Sequence, residues 1–148
     1  MIYLVKIMTD KIQITMTIDQ ARIVMKAMDL YSRIMMGQFE IILEHFDWDD
    51  HAEKIYGRRR EDQRHVENSL NIVKDYIYPN LRGAYYGITG EPCPKNATAI
   101  YDMFAQIRHV VDWHDHPNGE HAWTVSYAKP MHWLKEYPEI DVKVITEE

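Results

Sequence analysis

The sequence is poor in the residues and motifs that announce a particular chemistry. It has one cysteine, Cys93, in 148 residues, which excludes an internal disulfide framework and any zinc site built on cysteine pairs. No P-loop, GxGxxG, GxSxG or HExxH run occurs, so the usual phosphate-cradling, dinucleotide, acyl-transfer and metalloprotease signatures are missing. No stretch reaches the roughly 18–20 apolar residues of a membrane-spanning helix. The opening MIYLVKIM lacks the basic lead and small-residue cleavage site of a signal peptide. Basic residues are in deficit: 17 Lys and Arg against 23 Asp and Glu give a formal charge of −6. That balance argues against a surface built for long nucleic acid. The expectation is one cytoplasmic domain over residues 1–148, with residues 1–8 as an N-terminal extension. Arg58-Arg59-Arg60, with Arg64 one turn on, is a local exception to the acidic balance. It reads as a solvated helix start or as an anion-attracting spot.

What is present is strong patterning. KIQITMTI (11–18) alternates Ile12, Ile14, Met16 and Ile18 against Gln13, Thr15 and Thr17, which predicts a strand with one dry face. Thr17 and Gln20 then form a capping box, with Asp19 near the positive helix end, and predict a long helix over 19–45. Polar residues Arg22, Lys26, Asp29, Arg33, Gly37, Glu40 and Glu44 fall in one narrow stripe; nearly everything else is apolar and Met-rich. Such a helix needs cover on two sides, and in a small domain the second cover is often another subunit. Residues 46–57 read as a loop. A second helix is predicted over 59–78, burying Val66, Leu70, Val73 and Ile77 and ended by Pro79. Residues 78–96 carry three Pro and three Gly in 19 positions, the longest irregular stretch. Asn96 is expected to cap a third helix over 97–113, buried along Ile100, Phe104, Ile107 and Val111. Alternation at 122–128 and 140–145 predicts two further strands. The fold class expected is therefore α+β: a small antiparallel sheet packed with about three helices, the Met-rich one near an oligomer interface.

Histidines and aspartates gather in DWHDHPNGEH (112–121), next to His109. A metal site needs ligands that converge. His109 and Asp112 lie one turn apart, but Pro117 breaks the chain amid His114, His116 and His121. Structural and surface roles are the plainer reading, and a metal-dependent nucleotide hydrolase using the 109–121 cluster is the alternative. No metal, cofactor or catalytic residue is assigned, and Cys93 lacks a sequence neighbour that would activate it.

Two features suit a nucleotide ligand. Tyr85 and Tyr86 precede Gly87 in the Gly-rich loop, where aromatic faces can stack on a planar base or simply pack. Arg108 sits near Tyr101, Phe104 and Asp112. It either pairs with Asp112 at i,i+4 or offers its fork to phosphate at a pocket rim, as Arg33 also could.

DQARIVMKAMDLYSRIMMGQFEIILEH (19–45), AYYGI (84–88) and AIYDMFAQIRHVVDW (99–113) resemble the first-described family of phage Thoeris anti-defence sponges. The likeness runs over most of the chain from residue 11 onward and is one of pattern rather than of a short motif. It implies a non-catalytic protein that binds cyclic ADP-ribose isomers made by bacterial TIR-domain enzymes, and so starves the downstream effector. It implies homo-oligomers, dimers or trimers of dimers that in some members also take up cyclic trinucleotides, with pockets at subunit interfaces in the host cytoplasm. The residues it assigns to ligand are Tyr86, Asn96 and Arg108, together with Arg33, Gln38 and Phe39 on the first helix. The clustered histidines have no counterpart in that pattern.

Overall fold

A computed structural model describes residues 12–81, 83–120 and 124–146. Its frame is a pair of long helices, α1 (Ile18–Met35) and α5 (Lys95–Asp115), packed along their lengths. Thr17 caps α1 by accepting from the Gln20 amide while the Gln20 side chain accepts from the Thr17 amide, the reciprocal box its sequence predicts. At one end Arg22 of α1 reaches Asp115 of α5 (2.6 Å); at the other Asn96 of α5 donates to the Tyr31 hydroxyl of α1 (2.6 Å). The helices therefore run antiparallel. Ala21, Ile107 and Val111 form the seam, covered by Met16, Val24, Met25, Met28, Ile140 and Val142.

Between them lie α2 (Ile41–Glu44), α3 (Asp50–Tyr56), a single 3-10 turn at Arg60–Asp62, and α4 (Gln63–Ile77). The predicted helix over 19–45 is thus two. Gly37 takes φ +88°, its amide donates to Ile34 O, and the Gln38 amide donates to Arg33 O. These are the two bonds of a Schellman stop, which a left-handed glycine permits. The loop expected over 46–57 contains α3 instead, capped by Asp49 onto the Ala52 amide and closed by left-handed Gly57. The helix begins at Lys95, after Pro94, and not beyond an Asn96 cap. On α4 the predicted buried stripe fails: Val66, Val73 and Ile77 are exposed, and Lys74 is the residue enclosed.

The expected α+β class is overturned, because no strand or sheet occurs among the described residues, and the architecture is helical. Residues 12–17 and 139–146 form no element, although Met16, Ile140 and Val142 lie on the α1–α5 seam. Ile12 and Ile14, on the same alternating face as Met16, are exposed, and a strand also needs a neighbouring backbone to pair with, which no described segment supplies there. Thr124–Tyr127 is a turn. The extension at 1–8, the start of the first predicted strand, and Ala122 and Trp123 of the second lie outside the described residues. Among the described residues, no helix is long and apolar enough to cross a membrane.

Candidate ligand cleft

The Gly37 stop shapes a hollow that gathers charged, amide and aromatic side chains. Where α1 ends, the Met36 carbonyl accepts the Tyr86 amide (2.8 Å), which ties the Gly-rich loop to the helix terminus. Tyr78, at the end of α4, donates its hydroxyl to Met35 O (2.9 Å) and meets both Phe39 and Tyr86 edge-to-face, with centroids 6.1 and 5.7 Å away. Burial pushes the Tyr78 phenol above its ordinary range, so the donor role holds across neutral pH. Behind these rings Met36, Cys93 and Ala97 pack together with Ile88. Thr98 fixes the loop from α5 by donating to Ile88 O (3.1 Å).

The result is a cleft of about 220 Å³ lined by Arg33, Met36, Gln38, Tyr85, Tyr86, Gly87, Ile88 and Tyr101. Arg33 is held on two sides. Its Nε donates to both oxygens of Asp29 (3.0 Å each), and its Nη1 donates to Gln38 Oε1 (3.0 Å). Its Nη2 has no partner among the described residues. A fixed guanidinium with one free edge, an amide, and tyrosine rings on two walls suit an anionic group attached to a planar one.

Three of the six sequence-assigned residues, Arg33, Gln38 and Tyr86, line this cleft. Phe39 is buried behind it and props Tyr78 and, through it, Tyr86. Asn96 turns to Tyr31 and to the Ala97 amide, away from the lining. Arg108 lies seven residues beyond Tyr101 on α5, about 10 Å along the axis. It does not pair with Asp112: its guanidinium lies over the Phe104 ring (4.8 Å), and its buried Nε has no hydrogen-bond partner among the described residues. Tyr101 and Tyr78 were not assigned to the site from sequence. Tyr101 shows itself only once α1 and α5 are set antiparallel, and Tyr78 reads in sequence as nothing more than a helix end before Pro79.

The histidine-rich end of α5 is dispersed. His109 Nδ1 faces Ser126 O, His114 faces Asp115 and His116 faces Glu120, each at 3.1 Å. Among the described residues no three His, Cys, Asp or Glu side chains are grouped to hold a metal ion, and His121 lies outside them.

No family model, curated protein or solved structure matches the chain at a significant level.

Proposed function

We propose that this protein is a non-catalytic sponge that binds a cyclic ADP-ribose-type signal at the Arg33–Tyr86 cleft and withholds it from a TIR-based anti-phage defence. The observation that carries the proposal is the joint lining of one cleft by a clamped arginine, its amide partner and tyrosine rings. Diphosphate pairs with the guanidinium, and the base stacks on a ring.

At about 220 Å³ the cleft is smaller than the usual 300–1,000 Å³ of a small-molecule pocket. A second copy of the chain completes it, which is the role proposed for a homo-oligomer, a dimer or a trimer of dimers. Arg108, too distant along α5 to share the cleft of its own chain, serves the ligand from across that interface.

Calorimetry with a cyclic ADP-ribose isomer tests the assignment. Tyr86→Ala is expected to weaken binding by about 10–100-fold, the worth of one stacked base. Arg108→Ala is expected to abolish it while circular dichroism and oligomeric mass stay unchanged. Wild-type affinity in both variants would remove these residues from the site.

A further inference from the structure

On α4 the most enclosed side chain is the one least suited to enclosure. Lys74 is 3% exposed, whereas Val73 is 45% and Ile77 55% exposed on the same helix. Lysine is almost never fully buried unless its charge is paired. Yet no hydrogen bond or ion pair engages the Lys74 ammonium among the described residues. Its stem runs against the Gly37 turn, with Cε 3.8 Å from where a Gly37 Cβ would stand. Lys74 also lines a hollow of about 630 Å³ together with Asn71, Asp75, Pro79 and Gly83. Asn71, Lys74 and Asp75 share one face of α4 through their three- and four-residue spacing, and the following turn supplies the other wall. The hollow shares no lining residue with the Arg33 cleft.

We propose that this hollow is a second ligand site, which takes a phosphorylated sugar. The Lys74 ammonium and Asn71 amide hold the phosphoryl group, a compact anion matched to a point charge. The Asp75 carboxylate, an acceptor of hydroxyl protons, holds the sugar and disfavours a bare phosphate ion. The volume lies within the range of small-molecule pockets. Keeping an unpaired lysine where a hydrophobe would fit costs stability, a sacrifice typical of binding sites.

Ribose 5-phosphate, titrated into the full-length protein by calorimetry, is the probe, with ribose and inorganic phosphate as separate arms. Ribose 5-phosphate is expected to bind at least tenfold more tightly than either fragment. Lys74→Met keeps the stem and removes the charge. It should cost at least tenfold in affinity for ribose 5-phosphate, raise the melting temperature, and leave binding of a cyclic ADP-ribose isomer unchanged. Asp75→Asn, at an exposed position, should narrow the gap between ribose 5-phosphate and inorganic phosphate. Absence of ribose 5-phosphate binding in the wild type, or equal binding by Lys74→Met, would overturn the proposal. A changed oligomeric mass in Lys74→Met would also overturn it by giving the ammonium to a subunit contact. The ribose 5-phosphate outcomes do not depend on the sponge reading, which is judged at the other cleft.

Discussion

Asp102 is buried in the middle of α5 and fastens a segment some thirty residues away. Its carboxylate accepts the Trp133 amide (3.0 and 3.1 Å to its two oxygens) and the Leu134 amide (2.8 Å), and His132 Nδ1 stands 3.3 Å from it. His132 Nε2 in turn donates to Tyr137 O (2.7 Å). Asp102→Ala strips two backbone donors of their acceptor and is expected to cost about 1–3 kcal/mol in urea denaturation. Asp102→Asn, which keeps an acceptor oxygen, should cost less; equal stability of wild type and Asp102→Ala would contradict this role. Nothing near Asp102 in the sequence signals its function, because its partners are distant in the chain. Arg33 and Tyr86 were legible for the opposite reason: an arginine on a helix and an aromatic beside glycine carry their chemistry locally. Asn96 reads as a cap, but the helix starts at Lys95, which frees its amide for Tyr31.

At the scale of elements, Gly37 decides where α1 ends and so where Arg33, Gln38 and Tyr86 meet. A Cβ there would sit at φ +88° and 2.7 Å from Leu81 Cδ1. Gly37→Ala should therefore destabilise by about 1–3 kcal/mol, seen as a lower denaturant midpoint at unchanged m-value. It should also weaken ligand binding, because the Gln38 acceptor shifts; an unchanged midpoint would mean that the turn is not strained. The glycine was visible in the sequence, but its place in a polar stripe with helical spacing concealed its function as a stop. α3 was likewise signalled by Asp49 and Gly57, one at each end of a seven-residue helix too short for periodicity to show.

The α1–α5 pairing also makes a statement about pH. Arg22 bridges Asp19 and Asp115, and it holds the Asp115 carboxyl below its usual range, with help from His114. A carboxyl depressed in the folded state contributes stability above its unfolded value, about 3.9. That contribution is lost as pH falls through the folded value. Arg22→Met should thus be less stable than wild type near neutrality, with the difference shrinking as pH falls below about 3.9 and with added salt. A difference that is constant across that range would show that Arg22 acts by packing alone.

Over the whole molecule, the helix positions were largely legible from caps and 3.6-residue periodicity, while the expected sheet does not occur among the described residues. From 12–17 and 140–145, Met16, Ile140 and Val142 reach the α1–α5 seam. Ile12 and Ile14 stand 88% and 72% exposed, and α4 shows Val66, Val73 and Ile77 to solvent. These exposed side chains are apolar surface that the homo-oligomer proposed above would be expected to cover in part. The α4 stripe was read as buried and is exposed, since periodicity shows which residues share a face without showing what that face meets.

The central claim is that an assembled protein holds its nucleotide and does not turn it over. Native mass spectrometry of the purified protein with a cyclic ADP-ribose isomer, followed by release and weighing of the bound molecule, tests it most directly. An even-numbered oligomer from which the intact cyclic ligand is recovered after prolonged incubation is the expected result. A cleaved product would replace the sponge with a hydrolase, and a monomer that carries no ligand would contradict the account entirely.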